Sequence, residues 1–416
     1  MKLVVRHDPV FVRRRRIVGL VTLVLLALLV LGLVRACQGL TAGRDDAAAS
    51  ALQEQSRAFD VGSTHLVSRQ TITGAINPKS VAASPTGLVL AQNMMYRHTV
   101  TAYSADGQLK ATVNDAVDLG AYGVAGSRGT VKGAPVEAVW TRDGAKAYVS
   151  NYSMYGAGFE HNGYDDCTTS STVDRSYLYR LDAASLKVDQ AIQVGAVPKV
   201  VALTPNQRTV LATNWCSGTL SIVDVAQAKE VGTVAIGAHP RGIAVSPDSR
   251  TAYVAEMGGE TVYAVDLESR TAKPLVKPGK GPRALVLSAD GKHLYVTNND
   301  ADTLVRVDVA TGRVDRSVRL ADQPRSMAIS TDGRALYVVS YGAATLTKVR
   351  VSDLTVQQTV ATGPSPIGVA YEPTRNAVWV SCYSGSIMLL DESRAGAPAP
   401  APKGTPSASA SGPAHD

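Results

Sequence analysis

The sequence predicts an all-β fold made of repeated four-stranded sheets, and three observations support this class. The first is a stretch, Pro240 to Thr261, in which apolar runs alternate with a Pro-Asp turn and a Gly-Gly turn. Two tight turns within about 22 residues suit short antiparallel strands and come too close together for helices. The stretch therefore reads as part of a meander.

The second observation is that this stretch recurs along the chain. The last five copies follow one another at intervals of 42 residues, and the first two are spaced more widely. Seven prolines open the copies: Pro78, Pro135, Pro198, Pro240, Pro282, Pro324 and Pro366. A repeat of about 40–45 residues that holds four strands is the signature of a propeller blade. The sequence thus predicts a seven-bladed β-propeller over residues 64–391.

The third observation concerns the two ends of the ring. The last copy has three predicted strands and then runs into a Pro-Ala segment, so it lacks a fourth strand. His65 to Thr73 has a strand pattern and precedes the first copy. We expect this N-terminal strand to complete the seventh blade, because closure removes two exposed sheet edges.

Within a blade the turn signals place each strand. In the fourth blade we expect strands at 241–246, 251–256, 261–266 and about 272–277. In the seventh we expect 367–371, 377–382 and 386–391. The four strands of a blade are called a to d below.

Residues 17–35 are predicted to be a single transmembrane anchor. Ile17 to Val34 carries no charge and is bracketed by four arginines and by Arg35. A helix of about 18 residues spans roughly 27 Å, close to the hydrocarbon thickness of a bilayer. A cleaved secretory signal has the same basic-then-apolar plan and is the alternative. The basic residues 1–16 favour the cytoplasm, so the propeller is expected outside the cell membrane.

The remaining segments flank the ring. Residues 36–63 are rich in Ala, Gln and acids and are predicted to form a stalk, and residues 392–416 are predicted to be a disordered Pro/Ala/Ser tail. The formal charge of +7 resides mainly in residues 1–35, which hold seven basic residues and one acid. A nearly neutral remainder lacks the basic footprint of nucleic-acid binding, so no nucleic-acid partner is expected.

A recurring tetrapeptide ends the second strand of the copies. It reads Tyr295-Val296-Thr297-Asn298 in the fifth copy, and variants end at Asn151, Asn214, Glu256, Ser340 and Cys382. These motifs resemble the YVTN-repeat family of β-propellers, which includes YncE-like proteins. The resemblance implies the propeller fold. It leaves function open, because similar rings occur in envelope, lactonase-like and haem-d1 proteins.

One face of the ring is predicted to carry the unusual segments. In an up-and-down blade the b–c loops and the d–a linkers share a face, and both long insertions fall there: Asp118 to Gly133 and Tyr152 to Ser176. The b–c loop of the first blade, Met94 to His98, is also rich in large side chains. Loops on a rigid scaffold often carry function, so this decorated face is the candidate binding surface. Insertions tolerated without a function are the alternative.

Basic residues recur directly after the opening prolines. The seven positions are Lys79, Val136, Lys199, Arg241, Arg283, Arg325 and Ile367, and five are basic. At the start of the innermost strands they would surround the channel mouth and attract an anion such as a carboxylate, a phosphate or an acidic glycan. Alternatively, each basic residue pairs with an acid of a neighbouring blade.

Other residues of this face are candidates for the same ligand. They are His98, the asparagines that end the tetrapeptides, and the tryptophan that follows one of them: Asn151, Asn214, Asn298 and Trp215. The long b–c loop also brings potential metal ligands: Glu160, His161, Asp165 and Asp166. These show no fixed ligand spacing, so a solvated polar loop is the alternative and no other cofactor is expected.

Three cysteines lie within the predicted propeller. Cys167 and Cys216 belong to b–c loops of adjacent blades, and an extracytoplasmic compartment is oxidising. We expect a disulfide between them that pins the long loop to the third blade. Cys382 is then expected to be a free buried thiol.

The function predicted from the sequence is a membrane-anchored extracytoplasmic binding module without catalysis. Its partner would be an envelope protein or an unknown ligand, for which an anion is a candidate, bound at the decorated face. A metal-dependent lactonase- or hydrolase-like enzyme using His98, His161, Asp165 or Asp166 is the alternative. A redox propeller has less support, because the chain has no Cys-x-x-Cys-His motif.

Overall fold

The computed structural model of the chain describes residues 60–127 and 129–394. The predicted anchor, most of the predicted stalk and nearly all of the tail lie outside these residues. Within them the regular elements are β-strands and two 3₁₀ turns, Val61–Ser63 and Leu119–Tyr122. No helix of this part of the chain is long and apolar enough to span a bilayer.

The strands form seven four-stranded antiparallel sheets and one small hairpin. In chain order the first half comprises β1 (Thr64–Thr73), β2 (Ser80–Ala83), β3 (Leu88–Asn93), β4 (Thr99–Ser104), β5 (Leu109–Asn114), β6 (Ala116–Asp118), β7 (Thr130–Lys132), β8 (Pro135–Trp140), β9 (Lys146–Asn151), β10 (Tyr177–Asp182), β11 (Lys187–Gln193), β12 (Pro198–Leu203), β13 (Thr209–Asn214), β14 (Thr219–Asp224) and β15 (Lys229–Ala235).

The second half comprises β16 (Pro240–Val245), β17 (Thr251–Glu256), β18 (Thr261–Asp266), β19 (Thr271–Val276), β20 (Pro282–Leu287), β21 (His293–Asn298), β22 (Thr303–Asp308), β23 (Arg313–Arg319), β24 (Pro324–Ile329), β25 (Ala335–Ser340), β26 (Thr345–Arg350), β27 (Val356–Ala361), β28 (Pro366–Glu372), β29 (Ala377–Cys382) and β30 (Ser386–Arg394). The predicted strands of the fourth and seventh blades are confirmed. Each strand end either matches its predicted position or differs from it by one to three residues.

The seven-bladed propeller predicted from the repeat is confirmed. Each of blades 1 to 6 is a meander of four consecutive strands, and the first strands of neighbouring blades contact one another around the centre. Strand b is buried along almost its whole length, as in β17 and β25, because each blade is packed between two others. Strand d lies at the rim, so β23 is largely exposed. The tetrapeptides are largely apolar because they lie in strand b, which is buried.

The ring is closed by its own first strand, as predicted. The seventh sheet has the order β1-β30-β29-β28, and β1 pairs antiparallel with β30 from Thr64 to Thr73. The 3₁₀ turn before β1 also packs on the ring, since Val61 is buried. The last blade therefore joins strands from both ends of the described chain.

Apolar clusters fill the spaces between blades. Blades 3 and 4 share one around Leu211 and Val254, and blades 7 and 1 share another around Trp379 and Val89. Between blades 6 and 7 the structure also buries an ion pair, which Lys348 on β26 forms with Glu392 on β30. The core is thus divided among the blade interfaces.

Both insertions occur where the sequence places them, and they meet. The b–c loop of blade 2 covers residues 152–176, and the linker between β5 and β8 contains the β6–β7 hairpin. Lys132 of this hairpin exchanges two backbone hydrogen bonds with Tyr155 of the long loop, of 2.8 and 2.7 Å. His98 Nδ1 donates a 2.6 Å hydrogen bond to the carbonyl oxygen of Gly133. The prediction of one decorated face is confirmed.

Candidate functional site

A repeated backbone turn places the residues of the channel mouth. The residue before the opening proline has a positive φ in blades 3 to 7: Val197, His239, Gly281, Gln323 and Ser365. Its carbonyl accepts a hydrogen bond from the first residue after strand b, for example from Trp215 N to Val197 O at 2.9 Å and from Tyr341 N to Gln323 O at 2.9 Å. This bond holds the start of strand a beside the end of strand b in each of these blades.

The basic residues of the repeat converge at the mouth of the central channel. Lys79, Lys199, Arg241, Arg283 and Arg325 all line one cavity of about 520 Å³. The first four are less than 8% exposed. Ile367, at the seventh repeat position, lines the cavity as well. The structure therefore brings together all five basic candidates.

A second ring of large side chains surrounds the first, and the sequence pointed to only one of its members, Trp215, as a ligand candidate. Its members are the residues directly after each strand b: Met94, Tyr152, Trp215, Met257, Asn299, Tyr341 and Tyr383. Five of them line the same cavity: Met94, Trp215, Met257, Tyr341 and Tyr383. The signal was available, because the position after the tetrapeptide carries a large side chain in six of the seven blades.

The alternative in which every basic residue pairs with an acid holds only for Lys199. Its Nζ lies 3.2 Å from Oδ1 of Asp165, on the long loop of the preceding blade. Arg283 donates from Nε to the carbonyl of Arg325 at 3.1 Å, and Arg325 lies over the ring of Tyr341 at 3.6 Å. Among the ion pairs of the described residues, none includes Lys79, Arg241 or Arg283. These three side chains thus form no ion pair there, although the buried Glu137 carboxylate acts electrostatically on all three.

The arginines also separate two cavities along the channel. Arg241, Arg283 and Arg325 line both the mouth cavity and a second cavity of about 320 Å³. Glu137 and Trp140 line this second cavity and not the first. The mouth cavity adds three carboxylates, those of Asp165, Asp166 and Asp300. With Glu137 of the adjoining cavity included, five basic groups face four carboxyl groups, which leaves an excess of one positive charge when all are ionised.

Burial and crowding shift the pKa values of these cations downward. Burial, with the charges of Arg241 and Arg283, holds the pKa of Lys79 well below its usual range. Burial and the charge of Arg241 lower the pKa of Lys199 to about 7, in spite of Asp165. Burial also lowers the pKa of Arg283, and the charges of Arg241 and Arg325 add to this effect. Each shift reports the cost of keeping positive charges together away from water.

Aromatic rings enclose the amine of Lys199. Its Nζ lies 4.2 Å from the ring centroid of Tyr152 and 5.0 Å from that of Trp215. Tyr152 donates a 3.0 Å hydrogen bond to Asp165 Oδ1, the same oxygen that contacts the amine. Burial raises the pKa of Asp165, but Lys199 and Tyr152 outweigh this effect, so the pKa is lowered. The amine and the carboxylate are therefore held together at the cavity wall.

The predicted disulfide is present and anchors this wall. Cys167 and Cys216 are bonded, with their Cα atoms 5.3 Å apart. Trp215 Nε1 donates to the carbonyl of Asp165 at 2.9 Å, and the ring of His239 stacks on Trp215 at 4.2 Å. The bond thus fixes the loop segment that carries Asp165 next to Trp215. Cys382 is a free and buried thiol, as expected.

Four candidate residues lie away from the cavity wall. The side chains of Asn151, Asn214 and Asn298 are fully buried and donate within their own blades, for example from Asn214 Nδ2 to Ser221 Oγ at 2.8 Å. His98 is half-buried and packs edge-on against Tyr155 at 5.1 Å. These contacts position the strand ends and the insertions. Trp215, in contrast, lines the cavity.

The acidic loop residues do not come together as a metal site. His161 pairs with Asp174 at 3.5 Å, whereas Asp165 contacts Lys199. Glu160 contributes its backbone N–H to the carboxylate of Asp174 at 2.7 Å. In residues 60–127 and 129–394 no three His, Cys, Asp or Glu side chains are arranged to hold a metal ion. The solvated-loop alternative describes Glu160 and His161, which are exposed.

Solved structures share the fold at low sequence identity. Hydrazine synthase of Kuenenia stuttgartiensis matches with 17% identity and a TM-score of 0.61, over 78% of this chain and 98% of that chain. A chain in the crystal structure of a mitotic checkpoint complex matches with 14% identity and a TM-score of 0.62, over 79% of this chain and 92% of that chain. No curated protein matches this sequence.

A family model gives the assignment. The model of YNCE-like β-propellers matches residues 166–373, half of the chain, from the end of the long loop to the start of the seventh blade. This is the family that the tetrapeptides resemble, and the closed seven-bladed ring agrees with it. The chain therefore belongs to the YNCE-like β-propeller family.

Proposed function

We propose that the propeller binds an anionic ligand in the cavity at its channel mouth. The observation that carries this proposal is a group of buried basic residues, Lys79, Arg241 and Arg283, that form no ion pair among the described residues and lie beside Lys199 and Arg325. Burying like charges together is costly unless a counter-charge compensates them. A negatively charged ligand would compensate the arginines of the cavity and gain charge-assisted hydrogen bonds from them.

The test is isothermal titration of the purified full-length chain with citrate, sulfate and inorganic phosphate. Arg241→Gln/Arg283→Gln removes two cavity cations and should weaken anion binding at least tenfold. The matched control, Arg313→Gln/Arg316→Gln, removes two exposed cations of β23 and should bind like the wild type. Equal loss in both doubles would mean that the cavity contributes no specific site.

Stability separates a binding role from a structural one. If the two arginines serve the fold, their substitution lowers the melting temperature. If they serve a ligand, the free variant is as stable as the wild type or more so, because buried like charges have been removed. A destabilised double variant would contradict the proposal.

We also propose that the propeller acts outside the cell, tethered by residues 17–35. The sequence pattern of that segment supports the tether, and the Cys167–Cys216 bond suits an oxidising compartment. Alkaline extraction of membranes should leave the chain in the pellet. Release of the propeller as a soluble protein would contradict the tether.

A further inference from the structure

We infer that Lys199 is a nucleophilic amine that forms a reversible imine with an anionic carbonyl compound, such as a 2-oxo acid, bound in the mouth cavity. This inference rests on the proposed anion site and names its ligand class. The arginines would hold the carboxylate of the ligand, and its carbonyl carbon would face the amine. Imine-forming lysines in proteins are typically desolvated and close to other cations.

The surroundings of Lys199 meet both conditions. Its side chain is 5% exposed and lines the cavity, and Arg241 and Arg283 are its cationic neighbours. These surroundings lower the pKa of the amine to about 7, so a substantial fraction is unprotonated at neutral pH. An exposed lysine, with a pKa near 10.4, is almost fully protonated there.

A general acid–base group lies in contact with the amine. Asp165 Oδ1 is 3.2 Å from Lys199 Nζ, and the Asp165 side chain is 79% exposed, so it also meets the solvent of the cavity. Carboxylates at hydrogen-bonding distance can move protons in such steps. Lys79 shares the burial but forms no ion pair among the described residues. The contact with Asp165 therefore singles out Lys199.

The step is balanced without an oxidant or a second substrate. The unprotonated Nζ attacks the carbonyl carbon, a C–N bond forms, and the carbonyl oxygen takes up the electron pair. Asp165 takes a proton from the nitrogen and passes it to the alkoxide, which gives the carbinolamine. It then takes the second nitrogen proton and passes it to the hydroxyl group, which becomes the leaving water. The C–O bond then breaks, water leaves, and the imine remains; addition of water reverses the sequence.

Reductive trapping tests the inference on the full-length chain. The chain is incubated with glyoxylate and cyanoborohydride, and modified lysines are mapped by mass spectrometry. Carboxymethylation of Lys199 should exceed that of the exposed Lys292 at least tenfold. Acetaldehyde, which has no carboxylate, should not show this preference. Modification spread over surface lysines, modification of Lys79 instead, or equal preference with acetaldehyde would overturn the inference.

Three variants separate a chemical role from a structural one. Lys199→Arg keeps the charge and should lose the trapped adduct, whereas the control Lys292→Arg should keep it. Asp165→Asn should slow trapping at least tenfold, because the proton transfers at the nitrogen lose their carboxylate. Trapping should rise from pH 6 to pH 8 as the amine loses its proton, and a flat profile would contradict the assignment.

The outcome also distinguishes the inference from the proposed function. Citrate binding without trapping of glyoxylate at Lys199 would overturn the imine and leave the anion site standing. Failure of both measurements would overturn the two together.

Discussion

Asp115 occupies a position that is apolar in other blades. It follows strand d of blade 1, where blades 2, 3 and 5 have the buried residues Val194, Ile236 and Leu320. Asp115 is 3% exposed, and neither of its carboxylate oxygens has a hydrogen-bond partner in the described part of the chain. Burial raises its pKa to about 8. At Asp115 the chain follows the repeat in its strands, but it carries a carboxyl group where other blades have a buried apolar side chain.

The first prediction concerns the pH dependence of stability at this residue. The folded state keeps the Asp115 proton up to about pH 8, whereas the unfolded chain loses it near 3.8. The free energy of unfolding should therefore fall as the pH rises from 4 to 8, by an amount on the order of 5 kcal/mol. Asp115→Asn should remove this slope, as measured by thermal unfolding across that range.

The control for Asp115 is Glu268→Gln, which neutralises an exposed acid. It should leave the slope of stability against pH unchanged. An unchanged slope in Asp115→Asn would show that its carboxyl group is not protonated in the folded protein. Asp115→Val should raise the melting temperature at pH 8, because it restores the apolar residue type of the repeat.

At the scale of elements, the long b–c loop depends on one covalent bond and a few polar contacts. Its segment with Asp165 and Asp166 is held by the Cys167–Cys216 bond, which links residues 49 positions apart. Val197 and Ala196 pack around the two cysteines. The loop has little regular structure of its own, so its position depends on these attachments.

The second prediction is that removing this bond loosens the loop before the ring. Cys167→Ser/Cys216→Ser should expose residues 152–176 to limited proteolysis, while the remaining blades stay resistant. A disulfide that closes a loop of this length stabilises a protein by about 4 kcal/mol in the chain-entropy estimate, so the melting temperature should also fall. Mild reduction of the wild type should reproduce both effects.

Cys167→Ser/Cys216→Ser also serves as the control for the reduction experiment. A reductant should not change its proteolysis or its melting temperature further, because the variant lacks this disulfide. Cleavage outside residues 152–176 would contradict the prediction. Resistance of the loop in the variant would show that the hydrogen bonds of Trp215 and His239 hold it without the disulfide.

At the scale of the whole molecule, the ring depends on the contact between its ends. Lys348 Nζ lies 2.7 Å from Glu392 Oε2 and donates to the carbonyl of Thr64 at 2.9 Å. Tyr337 and Thr64 also donate to the Glu392 carboxylate. The side chains of Lys348 and Glu392 are both fully buried. One polar cluster thus joins β1, β26 and β30.

The third prediction is a non-additive effect of breaking this cluster. Lys348→Met leaves the Glu392 carboxylate buried without its cation, which should cost about 3–5 kcal/mol of stability. Lys348→Met/Glu392→Met removes both charges and should be more stable than Lys348→Met alone. Calorimetric melting of the wild type, both single variants and the double variant gives the coupling. Simple addition of the two single losses would contradict it.

Local patterns and chain order were enough to predict the fold and much of its surface. The spacing of the prolines gave seven blades, because a repeat of that length holds one sheet. The missing last strand and the pattern at His65 to Thr73 predicted the closure. Strand direction alone predicted one decorated face, and the position of Cys167 and Cys216 in adjacent loops predicted their bond. All of these depend on local patterns and chain order.

Which site residues contact one another could be read only from the folded ring. The sequence could not tell whether Arg241 and Arg283 pair with acids, since that depends on side chains brought close by the curvature of the ring. It could not place Asn214 inside a blade and Trp215, one residue later, on the cavity wall. The contact of Lys199 with Asp165 joins residues 34 positions apart. Distances between side chains from different blades are set by packing around the whole ring, and no local pattern encodes them.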